Sequence, residues 1–149
     1  MIEGHEHRDL RGPAADEAQA RLDNFQRKTA YAGSIVTDPK RLAKIMARDD
    51  PKIYLGRFVT CVYDPNKALC RRANGDRLIP DLGSCQPLHC RNVALTAANR
   101  HRLGQQLHKL DEHLAAADVL APYVAYRLAQ QRRDLAALLE TAEPPPENP

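Results

Sequence analysis

The sequence predicts a mainly α-helical protein: N-terminal helices, a short β segment, a metal-stapled loop and a C-terminal antiparallel helical hairpin. Three observations predict it. Leucines recur at helical spacing on both sides of a short break before Pro122, a single segment is dense in β-branched and aromatic residues, and four cysteines fall between positions 61 and 90.

Residues 1–13 are charged and end in Gly12-Pro13, which reads as a flexible lead. From Ala14 to about Tyr31, Ala18, Leu22 and Phe25 recur at spacings of four and three, the stripe of an amphipathic helix that Gly33 is placed to end. Ser34-Ile35-Val36 reads as a short extended piece. Thr37-Asp38-Pro39 then supplies an N-cap and a proline at the first helical position. The helix that follows carries Leu42, Ile45 and Met46 on one face and stops before Pro51, because the residue preceding a proline is driven out of the α region.

Lys52 to Tyr63 is the β segment, with Gly56 dividing it or marking a bulge. Alternation along its second half sets Phe58, Thr60 and Val62 on one side and Val59, Cys61 and Tyr63 on the other. Asp64-Pro65-Asn66 opens a turn that delivers Cys70. Residues 71–92 hold turn residues and too few periodic apolar residues for an element of their own, so a loop of this length needs a staple. Thr96 caps a helix to about Ala117 with Leu103, Leu107, Leu110 and Leu114 in line. After a break at Asp118–Ala121, Pro122 starts a second helix with Val124, Leu128, Leu135 and Leu138, folded back on the first. The expected organisation is thus a single small domain over 14–142, with a cysteine region at 57–95, a hairpin at 96–141 and a disordered proline-rich tail at 143–149.

Apolar residues reach 43%, but aromatics only 5%, Trp is absent, and much of the apolar share is alanine, which buries little area. The core is expected to be thin. No apolar run is long enough to span a membrane and the N-terminal residues do not resemble a secretion signal, so a cytoplasmic protein without a membrane partner is expected.

In a reducing compartment, clustered cysteines point to metal ligation before disulfides. Cys61, Cys70, Cys85 and Cys90 form a C-x8-C-x14-C-x4-C pattern. Four thiolates suit tetrahedral Zn²⁺, the first reading, with an iron–sulfur cluster as the alternative; free thiols or disulfides stay open beside both. The pattern lacks the C-x2-C knuckle of most zinc ribbons. His89, adjacent to Cys90, is a candidate to replace one thiolate, though neighbouring loop residues rarely both reach one ion. A metal with four protein thiolates has no open position for water, which marks a structural site. With no nucleophile elbow, phosphate loop or deaminase motif in the chain, the expectation is a protein without catalytic activity.

Between Arg57 and Arg102 eight basic residues face three acidic ones. Arg57, Lys67, Arg71, Arg72, Arg77, Arg91, Arg100 and Arg102 are the candidates for phosphate contacts, the last two beside the N-terminus of the helix capped by Thr96. A DNA-binding or DNA-associated module is the first functional reading. The alternative is a protein-interaction or assembly module in which the leucine-striped helices over 96–141 pair with another copy or a partner subunit; the helix from Ala14 is a candidate to cover them within the chain.

At CVYDPNKALCRR, PDLGSCQPLHCRNVALT and the helices that follow, roughly Tyr54 to Leu139, the chain resembles the cysteine-rich C-terminal region of uncharacterised actinobacterial plasmid and phage proteins associated with integrases. That resemblance implies a bacterial mobile-element setting in which DNA is the default partner. Since Met1 lies shortly before the similar region, it also implies a further N-terminal portion, missing or separately encoded.

Overall fold

The computed structural model describes residues 9–48, 50–70 and 85–142. Arg71, Arg72 and Arg77 and the proline-rich tail therefore lie outside the described residues. In chain order the elements are helix α1 (Ala15–Ile35), helix α2 (Pro39–Arg48), strands β1 (Ile53–Leu55), β2 (Thr60–Val62) and β3 (Val93–Ala94), helix α3 (Ala97–Ala115), a 3-10 turn (Ala117–Val119) and helix α4 (Pro122–Thr141).

The β segment folds as a hairpin split at Gly56, with Ile53 opposite Val62, Tyr54 opposite Cys61 and Leu55 opposite Thr60. Only glycine fits the split. A Cβ there would stand 2.5 Å from the Val59 carbonyl oxygen. The third strand was not expected, because two residues are too few to show alternation. Val93 pairs with Cys61 and Ala94 with Thr60, giving an antiparallel sheet in the order β1-β2-β3.

The lead is not free over its last residues. Arg11 exchanges backbone hydrogen bonds with Leu95 at 3.0 and 2.7 Å, and the Ala14 N–H reaches the Val93 carbonyl at 2.9 Å, so residues 11–14 extend the sheet beyond β3. Gly12 turns there at a φ of +99°, a conformation open to glycine. A charged stretch can still pair through its backbone, which the composition of its side chains does not reveal.

Register and strand alternation place Thr60, Val62 and Ala94 on one face of the sheet and Cys61 and Val93 on the other. The first face packs Val62 and Ala94 against Ala14 and Ala18, with Leu10 and Ile53 at the margin. On the second, Val93 and Leu95 meet Leu103 and Leu110 of α3 and Leu135 and Leu138 of α4. Two small cores, one of them mostly alanine, replace a single large one, as the composition implies.

Helix α1 continues past Gly33 to Ile35. An exposed glycine costs a helix about 1 kcal/mol relative to alanine, too little to end a helix of 21 residues. Nor does α1 serve as a third helix in the core of the hairpin, since it packs against α2 and β3, with Ala18 in the cluster on the other face of the sheet. Helix α2 begins as expected: the Asp38 carboxylate accepts the Lys40 N–H at 3.1 Å and Pro39 takes the first position. Helices α3 and α4 form the expected hairpin, linked across their exposed side by Arg132 donating to Asp111 at 2.7 Å. Among the described residues no helix is long and apolar enough to cross a membrane.

Candidate metal centre

Three segments deliver the cysteines. Cys61 sits in β2, half-buried, on the face shared with Val93. Cys70 follows a turn built on Asp64, whose carbonyl accepts from the Lys67 and Ala68 N–H groups at 3.0 Å and whose carboxylate accepts from the Asn66 N–H at 2.9 Å. Cys90 follows a turn in which its own N–H and that of His89 reach the Gln86 carbonyl, and its side chain packs beside Leu88 at the edge of the hairpin core. Asn92, buried, donates from its amide to the Asp64 carbonyl at 3.0 Å, while its backbone carbonyl accepts the Val62 N–H at 2.7 Å. The turn before Cys70 and the segment after Cys90 are thereby held to β2.

All four thiols are free, and they share one electrostatic neighbourhood. Burial pushes the Cys61 thiol up to about 12, helped in turn by Cys90, Cys85 and Cys70 and opposed by Arg21. Cys85 is exposed as a residue, yet desolvation of its sulfur raises its pKa, and Cys90 and Cys70 raise it further. Negative charge at Cys70 or Cys90 thus disfavours ionisation of Cys61 and Cys85, an opposition that a bound divalent cation reverses. The donor set fits zinc or an iron–sulfur centre chemically. Ligand geometry is another matter: among the described residues no group of three or more His, Cys, Asp or Glu side chains is placed to hold a metal ion.

His89 points elsewhere, with its Nε2 3.4 Å from the Asp134 carboxylate on α4. Arg21, which pairs with Glu17 on α1, also donates to the Tyr63 carbonyl at 2.9 Å and to the Pro51 carbonyl at 3.3 Å and acts on Cys61. No local pattern could have linked positions 21 and 61.

The basic candidates separate. Arg100 is committed inside the molecule, donating to the Asp9 and Leu95 carbonyls at 2.9 and 3.3 Å and pairing with the Asp9 carboxylate. The N-terminus of α3 beside it is closed by a capping box. Thr96 Oγ1 accepts the Asn99 N–H at 3.1 Å and Asn99 Oδ1 accepts the Thr96 N–H at 3.1 Å. The capping box takes up two of the backbone donors at the helix end where the anion site was expected. Arg57 is exposed, with its guanidinium 5.4 Å above the Phe58 ring, and Arg102 donates to its carbonyl at 3.0 Å. Lys67 and Arg91 are exposed, the former 3.9 Å from the Asp64 carboxylate.

No protein-family model, curated protein or solved structure matches the chain.

Proposed function

We propose that the chain is a non-catalytic, DNA-associated module of a bacterial mobile element in which Cys61, Cys70, Cys85 and Cys90 bind one structural metal ion, Zn²⁺ in preference to an iron–sulfur cluster. The observation that supports the metal reading is that Cys61 and Cys85, drawn from separate segments, both have their thiols pushed up in part by Cys70 and Cys90. With an ion bound, the four would be thiolates, and the ion would tie β2, the Asp64 turn and the segment leading to β3 at one point. A protein with two small cores gains from such a link what packing alone supplies weakly.

The DNA reading rests on the basic surplus around these segments. Arg57, Lys67, Arg91 and Arg102, with Arg71, Arg72 and Arg77, would contact phosphates without reading bases, and Arg100 leaves the set because its guanidinium serves Asp9. Retention on immobilised duplex DNA across a salt series tests this. Binding that weakens steeply with salt is expected, and no binding at low salt removes the DNA reading.

One observation favours the assembly reading. Val119, Tyr123 and Tyr126 are 84%, 70% and 62% exposed at the connected end of the helical hairpin. Sedimentation of the metal-loaded protein distinguishes the two: a concentration-dependent dimer lost in a Tyr123→Ser, Tyr126→Ser variant supports assembly through the hairpin.

A further inference from the structure

Among the described residues, a concentration of positive charge not yet assigned lies on α2, away from the cysteine segments in sequence. Its ten residues, PKRLAKIMAR, contain no acid. Lys40, Arg41, Lys44 and Arg48 are all exposed, whereas Leu42 and Ile45 are half-buried, and the helix packs against α1. Positions 40, 44 and 48 are spaced by four, with 41 alongside, so the four cations form one stripe on the solvent side. Like charges at this spacing oppose the helix that carries them. An external anion relieves that opposition.

The stripe leads into a cleft of about 400 Å³ between α1, the C-terminal end of α2 and the residues flanking the β hairpin. Arg48 lines it together with Lys28 and Lys52; Asp50 and Asp64 also line it. Lys52 stands at a φ of +55°, with its N–H held by the Asp50 carboxylate at 2.9 Å, so its backbone is fixed where the cleft meets β1.

We infer that α2 and this cleft form a binding surface for the phosphodiester backbone of nucleic acid, centred on Lys40, Arg41, Lys44 and Arg48 and continued by Lys28 and Lys52. The inference rests on the DNA-associated reading and moves its main contact surface from the cysteine region to α2. A stripe spaced along a helix matches a string of phosphates. An anionic membrane is the less suitable occupant, because a helix lying in a lipid interface needs its apolar side free, and Leu42 and Ile45 are already half-buried.

The test is fluorescence anisotropy with a short labelled DNA duplex over a salt series, on the full chain and two variants. One variant carries Lys40→Gln, Arg41→Gln, Lys44→Gln and Arg48→Gln; the other carries Arg57→Gln, Lys67→Gln and Arg91→Gln. Circular dichroism checks that each keeps its helix content, which glutamine supports. The α2 variant is expected to bind at least about tenfold more weakly, with a salt slope smaller by up to about 3.6, at about 0.9 for each of the four phosphates no longer neutralised. An unchanged slope in the α2 variant with a reduced slope in the other overturns the inference and leaves the DNA reading standing. No binding by the unaltered chain removes both. Binding to phosphatidylserine vesicles without binding to DNA overturns the nucleic-acid occupant.

Discussion

Asn99 uses its whole side chain. Its Oδ1 accepts from the Thr60 hydroxyl at 2.9 Å and the Thr96 N–H at 3.1 Å, and its Nδ2 donates to the Gly56 and Arg57 carbonyls at 2.9 and 3.2 Å. Asn99, Thr60 and Thr96 are all buried, at 2%, 0% and 4% exposed, so their polar groups have no ready access to water. Asn99→Ala is expected to destabilise the fold by about 2–3 kcal/mol in urea unfolding, since several polar groups are left unpaired. A change within a few tenths of a kcal/mol would show that the amide does not hold the hairpin. The capping role of Thr96 was readable from its place before an apolar helical stripe. The role of Asn99 was not, because its partners at positions 56, 57 and 60 come from a turn some forty residues earlier.

Cys61 gives a residue-scale prediction in pH. Its thiol pKa is pushed up to about 12 in the folded, metal-free protein against an ordinary value of 9.0. The folded state therefore holds that proton over a range in which the unfolded state has lost it. The sign follows: stability of the metal-free protein is unaffected by this group below pH 9, falls as pH rises from there toward 12, and levels beyond. Urea midpoints between about pH 7 and 10 check this, and a Cys61→Ser variant should show a shallower alkaline decline. An equal decline in both would contradict the shifted thiol.

Among the elements, the N-terminal segment ahead of α1 adds an ion pair, Asp9 with Arg100, to its backbone bonds with the sheet. Hydrogen bonding from Arg100 is the largest influence on Asp9 and holds its carboxyl below the ordinary 3.8, with Arg11 adding to the effect. A depressed carboxyl contributes stability above its unfolded pKa and loses it as pH falls through the folded value. The pair is partly exposed, so screening keeps the effect small. Asp9→Asn is expected to lower the thermal midpoint at about pH 7, and to lower it by progressively less as the pH falls below the ordinary 3.8; a loss that does not depend on pH would assign the residue another role. Helical elements were legible where leucines repeat or a proline follows a cap, as at Pro39, Thr96 and Pro122. Strand β3 and the pairing of Arg11 with Leu95 were not, since backbone pairing over one or two residues leaves no periodic signature.

For the whole molecule, the layer order follows from how little each element can bury. The sheet is three short strands, α1 offers alanines to one face, and the helical hairpin offers leucines to the other. The cysteines span this arrangement at the sheet and the loops that lead into and out of it. Their spacing marked them as a set in the sequence, and in the fold Cys70, Cys85 and Cys90 each add to the raised Cys61 thiol. Their ligand geometry was not legible, because it depends on loop conformation. The partition of the arginines also needed the fold: charge alone gives Arg100 and Arg91 the same role, whereas Asp9 claims the first and the second is exposed.

The metal content of anaerobically purified protein, read by elemental analysis beside an absorption spectrum and a thiol titration, tests the central claim most directly. The account predicts one zinc ion per chain, no visible colour, and thiols that become titratable only after chelation, with loss of stability on metal removal. A brown absorption band would replace zinc with an iron–sulfur cluster. Metal-free protein with four freely titratable thiols and an unfolding curve unaffected by chelator would contradict the account.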